Sequence, residues 1–248
     1  VRRLRQAWAP LAPAIHYAVK ANGNLGVLRV LRDEGVDFDV VSVGEIHRVL
    51  AAGGDASRID FAGVGKRRDE IDRALEVGIG TFNAESASEL ATIDEVARAR
   101  GQRARVALRV NPDVDAFTHR HITTGRHENK FGMDFASARQ LAAVGDGMEG
   151  VELVGLHVHI GSQMIRVEPY AEGVRLSVEL ARELRDRHGG FGDLNIGGGF
   201  GIDYRENEAP AMTAFAEAVF PMIEGTGFLL QMEPGRLIVC NAGVLIRR

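Results

Sequence analysis

The sequence predicts an α/β fold, a (β/α)8 TIM barrel, on three observations. Short apolar runs rich in β-branched residues alternate with longer segments of helical period, the runs number eight, and residues of unusual chemistry fall at their C-terminal ends. Eight such units in 248 residues match a barrel, typically about 250 residues long. The rival is a doubly wound open sheet, which would more often carry its glycine signature on the first turn. Here the glycine cluster follows the seventh strand.

The predicted strands cover residues 15–19, 38–41, 59–62, 80–83, 105–110, 153–160, 193–196 and 228–232. Several read as nearly continuous apolar runs, the pattern of strands buried on both faces. Between them the periodicity predicts helices over 25–34, 45–52, 68–77, 86–100, 137–144, 169–188 and 212–224. The first three close on Gly35, Gly53 and Gly78, where a glycine readily takes the left-handed backbone that ends a helix. Ser86 with Glu89 three residues on forms a capping box, and that helix ends at Gly101. No length remains after the last strand for an eighth helix, so residues 1–9 are read as a helix end closing the ring from the N-terminal side.

Composition narrows the function. Basic and acidic residues number 30 and 34, for a net charge of −4, which excludes a broad polycationic nucleic-acid surface. The single cysteine, Cys240, excludes a disulfide framework and any paired-cysteine metal or redox site, so a cytoplasmic setting is expected. No apolar run approaches the ~20 residues of a membrane span, and no signal peptide opens the chain. Thirty glycines exceed the usual share of about 7% and read as backbone devices. The chain opens on Val1, has its first methionine at Met133 and stops at Arg247-Arg248. A piece of a longer protein is the expectation.

A barrel keeps its chemistry at the C-terminal ends of its strands and in the loops beyond. Lys20 ends the first strand in His16-Tyr17-Ala18-Val19-Lys20-Ala21-Asn22. At the rim of a dry core, desolvation is expected to lower its pKa and free the amine for Schiff-base chemistry. A solvated lysine at a strand end is the plainer reading. Gly197-Gly198-Gly199-Phe200-Gly201 follows strand seven, where barrels often bind phosphate and glycines let N–H groups reach an anion. An ordinary tight turn is its alternative. Gly65-Lys66 lacks the rest of a phosphate-loop pattern.

His157 and His159 close the sixth strand and share a face by its period of two. They could form a metal pair, supply a ring stacked on an aromatic cofactor, or be one structural and one solvent-linked histidine. The metal reading lacks further ligands on other strands. Glu233, in Glu233-Pro234-Gly235-Arg236, ends strand eight. A carboxylate at a buried rim needs a cationic partner, which Arg236 or the protonated heterocyclic nitrogen of a cofactor would supply. The longest excursion follows Arg109-Val110-Asn111-Pro112 and has the length of a binding loop. Its His119, His121 and His127 read as surface histidines. Cys240 sits in an apolar run and reads as a small buried hydrophobe.

A lysine after strand one, a stacking ring after six, a glycine cradle after seven and a carboxylate after eight suit one cofactor. Pyridoxal 5'-phosphate has an aldehyde, an aromatic ring, a phosphate and a pyridine nitrogen to match. The same stretches carry a resemblance. Tyr17-Ala18-Val19-Lys20-Ala21-Asn22, Phe38-Asp39-Val40-Val41-Ser42-Val43-Gly44-Glu45, Arg109-Val110-Asn111-Pro112 and Asn129-Lys130-Phe131-Gly132 come first. His159-Ile160-Gly161-Ser162-Gln163, the 197–201 glycine segment and the 233–236 block complete the series. In this order they resemble the signature blocks of the diaminopimelate decarboxylases, of the alanine-racemase-like, fold-type-III group of pyridoxal phosphate enzymes. Thr118 and Thr123-Thr124-Gly125 resemble that family more than the ornithine decarboxylases.

The resemblance implies roles. Lys20 would carry the cofactor through its aldehyde, and His159 would stack on the pyridine face. Glu233 would pair with the ring nitrogen and keep it protonated. Gly198, Gly199, Ser162, Gly235 and Arg236 would hold the phosphate, and Arg236 would also reach a carboxylate of a small amino-acid substrate. Asp39 and Arg109 would lie near the Schiff base and the ring hydroxyl. The implied reaction is loss of CO2 from meso-2,6-diaminopimelate to give L-lysine, the last step of lysine biosynthesis. The family's longer chains add a C-terminal β domain and act as homodimers, with some substrate contacts entering the neighbouring active site. Residues 1–248 would then be the cofactor-binding barrel domain, expected to show little or no activity alone. The alternatives are a decarboxylase of ornithine, arginine or carboxynorspermidine, and a non-catalytic pyridoxal phosphate barrel.

Overall fold

The computed structural model describes residues 1–114, 131–204 and 209–244. Eight parallel strands close into one barrel in sequence order. They are β1 (Ala14–Ala18), β2 (Asp37–Val40), β3 (Ile59–Phe61), β4 (Thr81–Ala84), β5 (Ala104–Val110), β6 (Val151–Val158), β7 (Asp193–Asn195) and β8 (Leu229–Met232). Closure is explicit in the register, with Ala14 opposite Gln231 and Ile15 opposite Met232. A closed ring excludes the open doubly wound sheet. All eight predicted strands are present, with ends displaced by at most two residues.

Helices of the predicted kind follow the strands: α2 (Leu25–Asp33), α3 (Val43–Ala51), α4 (Arg68–Val77), α5 (Ala87–Ala99), α6 (Phe135–Gly145), α7 (Glu168–His188) and α8 (Met212–Ile223). Their starts are chemically specified. The side chains of Asn24, Ser42, Ser86 and Asp134 each accept an N–H from the first turn of the helix they cap, which removes an orphan donor. Gly78 ends α4 in the left-handed conformation at φ 75°. The N-terminal residues do form a helix, α1 (Arg2–Ala7), with Trp8 behind it fully buried. After β8 the chain fits one more turn than expected, α9 (Arg236–Val239).

The barrel wall is apolar on its outer face only. Phe38, Val40, Phe61, Phe82, Leu108, Leu156, Val158, Leu194 and Met232 are buried against helical residues such as Leu28, Ile46, Ile71, Ile93 and Val174. The inner face is polar, which corrects the expectation of continuous apolar strands. Side chains from strands two apart in the ring can meet only across the interior, and several such pairs do. His16 of β1 reaches Asp60 of β3 at 3.0 Å, and Arg105 of β5 reaches Asp193 of β7 at 3.0 Å. His157 of β6 reaches Glu233, just past β8, at 3.0 Å. Buried charges of this kind persist because they are paired. Barrels more often fill this space with branched aliphatic side chains. Here the hydrophobic core lies between wall and helices, and the interior is left to ionisable groups.

Candidate active site

The C-terminal mouth of the barrel holds a cavity of about 740 Å3 lined by Lys20, His159, Ser162, Gly199, Glu233, Gly235 and Arg236 among others. Seven of the ten predicted site residues therefore converge on one space. Gly198 borders it through His159, and Asp39 through Lys20, as follows.

β1 stops at Ala18, and Lys20 sits beyond it in a single 3-10 turn, Val19–Ala21, rather than as the last strand residue. The turn closes with the N–H of Asn22 donating to the Val19 carbonyl at 3.0 Å. It aims the Lys20 Nζ at Asp39 Oδ2, 2.8 Å away, with Asp39 fully buried on the inner face of β2. The lowered lysine pKa expected from desolvation is not found. Burial does push the amine down, but Asp39 and Glu233 outweigh it and hold Lys20 above its ordinary value. Burial and the neighbouring Glu233 together raise the Asp39 carboxyl, against the pull of Lys20. The two groups form a pair with a short path for one proton.

Glu233 is held from two sides. His157 Nε2 lies 3.0 Å from its carboxylate, and Asn195 Nδ2 donates to Oε1 at 2.8 Å. Burial favours the neutral acid, yet His157 and Lys20 prevail and keep Glu233 well below the usual carboxylate range. Arg236 plays no part in this, which corrects the reading of a local Arg236–Glu233 pair. The Arg236 guanidinium instead donates to the hydroxyls of Tyr204 at 2.8 Å and Ser162 at 3.3 Å. Among the described residues no carboxylate pairs with it.

His157 and His159 do face the same way but act separately. His159 lies past the end of β6, and its Nδ1 accepts the N–H of Gly198 at 3.3 Å, which leaves the ring proton on Nε2. Burial pushes its pKa down to about 3, so the ring is neutral across the physiological range. Among the described residues, no three His, Cys, Asp or Glu side chains are grouped as a metal would require.

The glycine segment is a cradle by geometry. A Cβ on Gly199 would fall 1.8 Å from the Gly161 carbonyl oxygen, and one on Gly198 would fall 2.1 Å from that of Glu233. Gly197 and Gly199 also adopt φ of 66° and 85°, a region that favours glycine. Along the loop, Gly197 N–H donates to Asn195, Gly198 to His159 and Gly201 to Met164. The N–H groups of Gly199 and Phe200 have no acceptor among the described residues. Two successive free N–H groups on a glycine turn make an anion nest. Phe200 roots the loop in the helical layer, its ring 5.2 Å from Phe215, 5.3 Å from Tyr170 and 6.1 Å from Trp8.

Arg109 is the outlier. It is buried on β5 and bonded to Glu85 at 2.6 Å, while the other Glu85 oxygen accepts the Gly132 N–H at 3.1 Å. Its charge is felt at Lys20 and His159, but its donors point to the loop after β4. Cys240 is half-exposed in a 3-10 turn and lines the cavity mouth, so it is not the buried hydrophobe expected. His119, His121, His127, Thr118, Thr123, Thr124, Gly125, Asn129 and Lys130 lie outside the described residues. Sequence reasoning missed Asn195, Glu85 and Tyr204. Asn195 alone had a usable signal, an amide on the inward position of a strand whose neighbours Leu194 and Ile196 are apolar.

The residues present suit pyridoxal phosphate: an amine for an aldehyde, an anionic carboxylate for a ring nitrogen, a neutral imidazole for a ring face, and a nest beside an arginine that, among the described residues, pairs with no carboxylate, for a phosphate. Comparison with known proteins points the same way. The profile of a family described as pyridoxal-dependent decarboxylase, pyridoxal binding domain, matches residues 1–240. The chain is 44% identical to the diaminopimelate decarboxylase of Pseudomonas aeruginosa over 247 residues, 100% of this chain and 60% of that protein. It superposes on the crystal structure of Helicobacter pylori diaminopimelate decarboxylase complexed with L-lysine with a TM-score of 0.87 and 36% identity, over 95% of this chain and 61% of that one. For the Paramecium bursaria Chlorella virus arginine decarboxylase the values are 0.79 and 27%, over 95% and 61%. The chain spans 60% of the length of the P. aeruginosa protein.

Proposed function

Because this chain belongs to the pyridoxal-dependent decarboxylases, through their pyridoxal-binding domain, we propose that it is the cofactor-holding barrel of an enzyme that converts meso-2,6-diaminopimelate to L-lysine and CO2. The observation that carries this reading is the convergence of Lys20, the anionic Glu233 and the Gly199–Phe200 nest on one cavity.

The geometry supports a role for each residue. Lys20 Nζ would hold the cofactor through its aldehyde carbon, and Asp39 Oδ2, 2.8 Å away, would orient the amine and be within reach of its proton. The nest, Ser162, Gly235 and Arg236 would hold the phosphate, and Gly198 fixes the orientation of His159 through its N–H. Neutral His159 covers one ring face without adding charge. Glu233, kept anionic by His157, meets the ring nitrogen. When bound, the cofactor supplies an electron-withdrawing ring that takes up the charge left as the substrate carboxylate departs as CO2. Arg236 is suited to orient a substrate carboxylate as well as the phosphate. Arg109, tied to Glu85, would support the loop wall, and its charge acts on Lys20 and His159.

Diaminopimelate is favoured over arginine because, among superposed structures, identity is 36% to the Helicobacter pylori diaminopimelate decarboxylase against 27% to an arginine decarboxylase. A homodimer is the working form proposed, supported by exposed apolar residues around the mouth, Val41, Val64 and Phe131, that a neighbouring subunit would cover. A cytoplasmic site is supported by the half-exposed free thiol of Cys240. The test is a product assay of the protein at the full length its gene encodes, with diaminopimelate, ornithine and arginine offered separately. Lysine from diaminopimelate is expected; putrescine or agmatine in its place would overturn the substrate. Lys20→Ala should abolish both product and the visible absorbance of bound cofactor, with turnover down on the order of a thousandfold or more.

A further inference from the structure

Gln163 is one of three non-glycine residues with positive φ among the described residues, at 56°. Left-handed backbone disfavours a side chain with a Cβ, so the position is held there by something the surroundings gain. What they gain is visible. Gln163 Nε2 donates to the Ile202 carbonyl at 2.6 Å, and Gln163 Oε1 accepts the Ile202 N–H at 3.3 Å. The side-chain amide thus saturates both backbone groups of the residue that follows the glycine cradle.

The neighbouring pairings give this bond its meaning. Beyond the barrel, the main chains of the loops after β6 and β7 pair, among the described residues, through one parallel bridge, Met164 with Phe200, beside the His159–Gly198 hydrogen bond. In the bridge Met164 N–H donates to Gly199 at 2.9 Å and Gly201 N–H donates to Met164 at 3.0 Å. This pattern leaves the N–H of Phe200 outside the bridge and, like that of Gly199, without an acceptor among the described residues. One bridge and one imidazole bond on a segment with four glycines are a weak restraint, because glycine loses more backbone freedom on ordering than other residues. The Gln163 amide adds a second rung, acting as a peptide group that the main chain does not supply there.

We propose that Gln163 is a positioning residue that clamps the glycine loop so that the Gly199 and Phe200 N–H groups stay aimed at the phosphate of the cofactor. It touches no ligand itself. The inference rests on the reading that this cavity takes a phosphate-bearing pyridoxal.

Binding measurements on the cofactor-stripped, full-length protein test it, with pyridoxal 5'-phosphate and unphosphorylated pyridoxal titrated in parallel. Gln163→Met keeps the length and the backbone conformation but removes both hydrogen bonds. Gln163→Gly also removes them and in addition relieves the positive φ, so it folds at least as readily. Both variants should weaken pyridoxal 5'-phosphate by about tenfold, the order expected for two lost hydrogen bonds. Pyridoxal affinity should stay within about twofold. Equal losses for both ligands would show a merely structural residue and overturn the clamp. So would wild-type affinity in Gln163→Met, or full affinity in Gln163→Gly, which would assign the position to turn geometry alone. Failure of the unsubstituted protein to bind pyridoxal 5'-phosphate would instead overturn the cofactor reading, and the clamp with it.

Discussion

Glu233 shows how far a single side chain depends on residues remote in sequence. Its carboxylate is 3% exposed, and its partners His157 and Asn195 come from two other strands. Removing one partner of a buried pair leaves a charge without compensation, at about 3–5 kcal/mol. His157→Leu should therefore lower unfolding free energy by roughly that amount in urea titration, with part of the loss shared by Asn195. His157→Leu combined with Glu233→Gln should recover much of it, since the orphaned charge is gone. At this scale the chemistry was legible: Lys20, His159 and Glu233 stood out as polar residues at the ends of apolar runs. Their partners were not. A local Arg236 looked like the natural counter-ion for Glu233, because proximity in sequence is the only proximity a sequence displays.

The strands owe their packing to small residues as much as to apolar ones. Gly155 stands on the inner side of β6 opposite Asp193 of β7. A Cβ there would lie 2.0 Å from the Asp193 carbonyl oxygen and 2.6 Å from its carbon, backbone atoms that cannot step aside. Gly155→Ala should push β7 away from β6 and cost about 2–3 kcal/mol of stability, as overpacking does. Because β7 carries Asn195 and leads into the cradle, the same variant should bind pyridoxal 5'-phosphate more weakly, measurable by titration. Element order and type could be read from the chain because the period changes from two to 3.6 and glycines mark the helix ends. Ends were less legible: β6 stops at Val158 and β1 at Ala18, where loop residues begin to bond to neighbouring loops instead of neighbouring strands.

Across the whole barrel, the inner face forms a second charged layer below the cavity. His16 sits between Asp60 at 3.0 Å and Asp37 at 3.7 Å, and Arg58 pairs with Asp37 at the rim. Burial alone would lower the histidine pKa, but Asp60 and Asp37 raise it to about 9. A histidine held above its unfolded value near 6.5 stabilises the fold fully below that pH, and the contribution is lost as pH rises through about 9. Urea unfolding from pH 6 to 10 should show this decline, and His16→Asn should flatten it. The net charge of −4 gave no hint of such a layer, because paired charges cancel in a sum.

The alternation of strands and helices, the helix caps and the glycine loop after strand seven belong to local chemistry, so the sequence determined them by itself. It also placed the reactive residues at the mouth, because a barrel puts every strand end on one rim. Only the tertiary structure decided which charge meets which. The polar interior, the raised Lys20 amine, the His157–Glu233 pair and the Gln163 clamp all join residues from different β/α units. Electrostatic and hydrogen-bond energies fall off over a few ångströms of space, and the chain order carries no measure of that distance until the ring is closed.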